Sequence, residues 1–294
     1  MRNLLPTLVN RRYVLPGSTR QEGKTEDADH EPEGRENQLA FGLKSIEPSL
    51  AGSVLAKFLR DKPLTRDGGP WIELIGHAAD PAELRQLFDQ LVKNGFDEAA
   101  SLRAITALSE AARLRSAKPE GDLTAINGLF AGSNEKIQTA AIRLAGTWKL
   151  ATFTEQFLKL GADPRVSAEP RQAAFASLRD FGGPEVVAGL RSIAAKSNPS
   201  ELRRQAVVTL AALDLEKAIP DAVDVIMSTT DENDALNLWR SLLDIKGAGE
   251  ALVKALPKAD IPQIPAKAGM RAAREGGRPW IEASHSLTMR IGLD

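Results

Sequence analysis

The chain has 294 residues, 43% of them apolar and only 5% aromatic, with 38 basic against 39 acidic residues and a formal net charge of −1. That balance argues against a broad non-specific nucleic-acid surface and leaves room only for a local patch. The absence of Cys excludes disulfides, thiol nucleophiles, zinc sites built on Cys and covalent c-type haem attachment.

The first residues, Met1 to Tyr13, carry Arg2, Arg11 and Arg12 but only a brief apolar run from Leu4 to Val9, interrupted by Pro6. That run is too short for a signal peptide, and no apolar stretch approaches membrane-spanning length. The chain therefore reads as soluble and without an export signal or membrane segment, cytoplasmic by default. Gly17 to Asn37 holds no Val, Ile, Leu, Met or aromatic residue. Such a stretch cannot offset its ordering entropy by burial, so residues 1–37 are expected to form a disordered tail ahead of a helical domain spanning 38–294.

Helical spacing begins near Gln38, with Leu39, Leu43 and Ile46, then Leu50, Val54, Leu55, Phe58 and Leu59. Pro63, Gly68, Gly69 and Pro70 mark a loop. Trp71, Leu74 and Ile75 open a short helix ending near Gly76. Asp80 reads as an N-cap with Pro81 at the first helical position, and that helix buries Leu84, Leu87, Phe88 and Leu91. Asp97 caps a long helix to about Arg115. Leu123 to Ala131 is expected to be the first helix of the next unit, and Ser133 opens its partner. Phe153, Phe157 and Leu160 mark the next first helix, and Pro170 starts a partner ending at Phe181 before Gly182 and Gly183. Asn198 with Glu201, and Thr229 with Glu232, resemble capping boxes. Gly247 and Gly249 break the chain, and Pro257, Pro262 and Pro265 stiffen the next linker.

Within these helices one pattern recurs. A small Ala is followed four residues later by a large apolar residue: Ala104/Leu108, Ala140/Leu144, Ala174/Leu178, Ala206/Leu210 and Ala235/Trp239. A looser copy stands at Ala268/Ala272, and the Ala positions lie 36, 34, 32, 29 and 33 residues apart. Residues four apart share a helix face, so each pair makes a notch and a knob for a neighbouring helix. Recurrence at this period is the signature of helical repeats, clearest over 97–275. Any Ala-rich helix shows some such pairs, but not at near-regular spacing.

The units resemble HEAT repeats. The helix-start Arg that many such repeats place three residues before the Ala is present as Arg171 and Arg203. Ser101, Ile137, Glu232 and Pro265 stand at the other copies, so a continuous Asp–Arg ladder is not expected. The runs Glu110–Arg115, Arg143–Trp148, Leu238–Leu243, Lys246–Gly249 and Arg271–Gly277 are similar to the helical-repeat region of large bacterial proteins. Those proteins join a propeller-type membrane-bound dehydrogenase domain to a haem-binding cytochrome c domain. The likeness spans roughly Gln38 to Gly277. It implies a spacer between redox domains, in the periplasm if the chain is a piece of such a protein. Haem binding does not carry over to a chain without Cys.

Candidate chemistry is sparse. His30, His77 and His285 lie far apart and in no metal-ligand spacing. Gly247-Ala-Gly249 lacks the third glycine of a dinucleotide loop, and a helix–helix turn explains it better. Trp148 and Trp239 fall in line with the core stripe, where packing explains them, whereas Trp280 near the end carries no assignment.

The expectation is therefore an all-α, right-handed HEAT-like superhelix of antiparallel helix pairs. It would be a non-catalytic scaffold with no cofactor, metal or catalytic residues, binding a protein partner or spacing flanking domains, without nucleic acid. The second helix of each pair should line the concave face, making Arg103, Arg143, Arg179, Arg204 and Arg240 the candidate contact residues. The alternatives are the redox spacer and, last, a HEAT-like lyase or DNA glycosylase. Trp280, Ile281, Leu287, Met289, Ile291 and Leu293 suggest an uncapped C-terminal end that would associate with a further domain, a partner or another copy of the chain.

Overall fold

The computed structural model describes residues 31–61, 64–256 and 261–276, and all regular structure among them is helical. Asp97 caps the helix Glu98–Arg115 by accepting from the Ala100 N–H at 2.7 Å. Asn134 and Asp231 cap Glu135–Thr147 and Glu232–Leu243 in the same way, each satisfying amide groups that the first helical turn leaves open.

The helices are α1 Glu31–Lys44, α2 Pro48–Asp61, α3 Trp71–Ala78, α4 Pro81–Val92, α5 Glu98–Arg115, α6 Glu135–Thr147 and α7 Thr154–Ala162. They continue as α8 Ala168–Phe181, α9 Pro184–Ala194, α10 Ser200–Leu213, α11 Leu215–Ser228, α12 Glu232–Leu243, α13 Ala248–Ala255 and α14 Gln263–Glu275. They pack in two ranks. In one, α3, α5, α6, α8, α10, α12 and α14 each touch the next. In the other, α7, α9, α11 and α13 do so. A single apolar core runs between the ranks from Ala40 to Ala273.

The Ala/large pairs lie where the spacing places them. Ala104, Leu108, Ala174, Leu178, Ala206, Leu210, Ala235 and Trp239 are all buried, and Ala140 is half-buried beside a buried Leu144. Glycine deepens the notch at three crossings of the first rank. A Cβ on Gly76 would meet Ala107 of α5, one on Gly146 would meet Ser177 of α8, and one on Gly269 would meet the Trp239 ring, each inside 3 Å. Such crossings let two helix backbones approach closely.

The structure departs from the sequence reading at several points. Residues 1–30 lie outside the described set, but Glu31 to Asn37 belong to α1 rather than to a disordered tail. Ala40 and Leu43 anchor that helix in the core, and the Trp71 indole donates to Glu36 at 3.4 Å. The stretch expected as a helix from Leu123 is only a 3-10 turn, Thr124–Leu129, followed by Phe130, which packs on Phe153 and Phe157. Asn198 does not cap α10. Its side-chain amide donates to the carbonyls of Ser192 and Ile193 and closes α9. Thr229 likewise donates back to Val225, leaving the cap of α12 to Asp231. Pro265 sits inside α14 rather than in a linker. Of the C-terminal apolar residues, Trp280 to Leu293 lie outside the described residues.

Candidate binding groove

Three first-rank helices, α8, α10 and α12, present stripes of side chains to a shared open groove of about 670 Å³. Along α10 the stripe is Glu201, Arg204, Gln205, Val208, Thr209 and Ala212, spaced three and four apart, so it occupies one helix face. Gln172, Phe175, Ala176 and Arg179 form the α8 wall, and Asp234, Asn237, Leu238 and Ser241 much of the α12 wall. The apolar lining is supplied by the buried Phe175 and Leu238 with the half-buried Val208 and Ile245. The rims are polar. A pocket with a few convergent polar groups on an apolar floor is the usual form of a recognition site.

Charge in the groove is arranged in pairs. Arg204 crosses from α10 to Asp234 of α12 at 2.8 Å, with only 14% of its side chain exposed. At the same end, the buried Arg171 reaches Glu201 at 3.2 Å. At the other end Arg179 is exposed, 4.0 Å from Asp180, and Asp244 stands across from it on the groove lining. The Gln205 side-chain oxygen Oε1 is buried and accepts no hydrogen bond among the described residues. An unpaired buried acceptor carries a desolvation cost.

The five Arg residues expected to form one contact face divide by location. Arg179 and Arg204 line the groove. Arg103 is spent on structure: it grips Glu73 of α3 through two bonds of 2.6 and 2.8 Å and donates to the carbonyls of Asp67 and Gly69. That hydrogen-bonded guanidinium holds the Glu73 carboxyl below its usual range, and the Arg103 pKa is raised in turn. Arg240 pairs with Glu275 of α14 at 2.7 Å, and with Arg271 keeps that carboxyl acidic. Arg143 is exposed on α6, with no ion pair among the described residues.

These bonds form an interrupted ladder along the first rank: Arg103–Glu73, Arg171–Glu201, Arg204–Asp234 and Arg240–Glu275. The gap falls at α6, where the Ser177 hydroxyl donates to the Ile142 carbonyl at 2.9 Å instead. The sequence reading missed Glu201, Gln205, Asn237 and Ser241 as groove residues. Their helical phase relative to Arg204 was the available signal.

Among the described residues no three His, Asp or Glu side chains gather as a metal site, and no helix is long and apolar enough to cross a membrane. His77 is exposed, while His30 and His285 lie outside the described residues. No family model matches the chain, and neither the curated proteins nor the solved structures give a match to it.

Proposed function

We propose that the chain is a non-catalytic helical-repeat scaffold, a HEAT-like right-handed superhelix whose first rank lines the concave face and binds a protein segment in the groove of α8, α10 and α12. One observation carries this reading. Three neighbouring helices converge stripes of polar and charged groups around an apolar lining, and two of the expected contact residues, Arg179 and Arg204, are among them. The repeat spacing and the rank-to-rank packing support the superhelix.

The test is site-specific photo-crosslinking from Asn237 in the source cell, with a probe at Lys57 on α2 as the control. Asn237 should form a protein adduct that Lys57 does not, and Arg179→Glu combined with Ala212→Arg should abolish it. Equal adducts from both positions, or none from Asn237, would overturn the proposal. The redox-spacer alternative makes a different prediction: a native polypeptide much heavier than 31.7 kDa with covalent haem on the same band.

A further inference from the structure

The first-rank helices run parallel. Arg171–Glu201 and Arg204–Asp234 join the N-terminal halves of α8, α10 and α12. Lys118, just past α5, donates to the Trp148 carbonyl just past α6 at 2.7 Å, and Ser177 of α8 lies against Ile142 and Gly146 of α6. Like ends therefore stand side by side, and exposed residues near the C-terminal ends line up across neighbouring helices. Each helix offers an exposed Arg there: Arg113 on α5, Arg143 on α6 and Arg179 on α8. Arg113 shares its helix face with the exposed Thr106 and Glu110, Arg143 with Lys136, and Arg179 with Gln172.

These guanidinium groups are uncommitted. Arg113 and Arg143 make no ion pair among the described residues, and Arg179 only approaches Asp180 at 4.0 Å. Arg103, Arg171, Arg204 and Arg240, by contrast, each reach a carboxylate on a neighbouring helix. A cation in the last turn of a helix complements its macrodipole, but Arg143 stands before the last turn of α6, so that role does not account for the set. Lys118 and Lys149 are exposed at the same helix ends, and Glu110 and Asp180 offset only part of this positive charge.

We propose that an acidic protein segment lies extended along this strip, leaving the groove at Arg179 and crossing α6 to Arg113. The proposal rests on the scaffold reading for a protein segment on the first rank, and adds the chemistry and course of that segment. Axes of packed helices lie about 8–10 Å apart, so Arg113 and Arg179 are roughly 16–20 Å from each other across two junctions. About six extended residues cover that span, and a carboxylate at every second or third residue would meet each guanidinium in turn. Charge selects a protein over a nucleic acid. The groove that continues the strip is lined by Glu201, Asp234 and Asp244, which would repel a phosphate backbone, whereas a polypeptide can change its side chains from one end to the other.

The test uses the full chain. A fluorescein-labelled peptide with Glu at every third residue, separated by Ser and Leu, should gain anisotropy on binding, and the same peptide with Lys for Glu should not. Arg113→Gln with Arg143→Gln should weaken binding of the Glu peptide roughly threefold to tenfold, since two exposed charge pairs each contribute a few-fold, at an unchanged thermal midpoint. Lys57→Gln with Arg60→Gln on α2 should have no effect. In the source cell the two α5–α6 substitutions should deplete the Asn237 adduct. Absence of Glu-peptide binding, or equal binding by the α5–α6 variant, overturns the inference. Tighter binding of fluorescein-labelled oligo-dT, lost in the same variant, overturns it in favour of nucleic acid. An Asn237 adduct that survives both substitutions also overturns it and leaves the groove reading standing. If the unsubstituted chain gives no adduct, the groove reading fails and the peptide measurement alone decides the strip.

Discussion

Gly146→Ala sets two opposed effects against each other. Gly146 lies inside α6, so alanine should favour the helix by about 1 kcal/mol. The added Cβ, however, would sit 2.5 Å from the Ser177 hydroxyl oxygen, 2.9 Å from its Cβ and 3.0 Å from its Cα. The hydroxyl cannot swing away freely, because Ser177 is 1% exposed and its oxygen is held by the Ile142 carbonyl. The last of the three crowded atoms belongs to the backbone, so α8 itself must retreat. Overpacking of this kind costs roughly 1–3 kcal/mol, which outweighs the propensity gain. The expected net loss is about 1 kcal/mol, read as a lower urea midpoint by far-UV circular dichroism at unchanged slope. Gly42→Ala is the control. Gly42 is helical with nothing near its Cβ position, so the same substitution should stabilise or leave stability unchanged. If Gly146→Ala proves as benign as Gly42→Ala, the close approach of α6 and α8 is wrong.

Arg203 is 6% exposed and bonds the Ala194 carbonyl, Ser228 and Asp224; Arg203→Ala should cost about 1–3 kcal/mol by denaturant unfolding, because the Ala194 carbonyl loses a partner while Asp224 keeps Lys196. The Glu73 carboxyl is held below its ordinary value of 4.5, so its contribution is present above that pH and is lost as pH falls through the folded value. The stability gap between the natural chain and Glu73→Gln should therefore shrink on acidification below about pH 4, with salt reducing it at neutral pH. Ala212→Trp projects into the groove from an exposed position, so it should leave stability within about 0.5 kcal/mol in thermal melts while suppressing crosslinking from Asn237. A large loss of stability would show that the space is not open.

What the sequence made legible was local or periodic. The Ala/large pairs predicted which positions face the core, and Asp97 predicted its own cap, because both signals are complete within one turn of helix. Short polar turns were ambiguous. Asn198 and Thr229 lie between two helix ends that both lack partners, and the side chains went to the carbonyls behind them rather than the amides ahead. Asn127 and Gly128 weakened the stretch after Leu123, and the aromatic packing of Phe130 is met by a 3-10 turn. The fate of each Arg was least legible. Arg240 is exposed like Arg143 and Arg103 is half-buried, yet the carboxylates of Arg103 and Arg240 come from neighbouring helices about thirty residues away, and no local pattern encodes that.

The position of the groove follows from the same small-residue logic as the stack. Three of the four tighter first-rank crossings carry a glycine: Gly76 between α3 and α5, Gly146 between α6 and α8, Gly269 between α12 and α14, while α5 and α6 close without one. Neither α8, α10 nor α12 contains a glycine, and the junctions α8–α10 and α10–α12 are the looser ones. Arg171–Glu201 and Arg204–Asp234 bridge those junctions at one end instead, acting as struts between helices that cannot close on each other. A strut holds two backbones apart as well as together, because a guanidinium and a carboxylate occupy space that a Cβ notch would not. The apolar lining between them comes from Phe175, Val208, Leu238 and Ile245, with the small Ala176 and Ala212. An opening built this way is shallow, long in the helix direction and polar at its rim. Those properties suit an extended or helical protein segment better than a small substrate that must be enclosed and dried for chemistry.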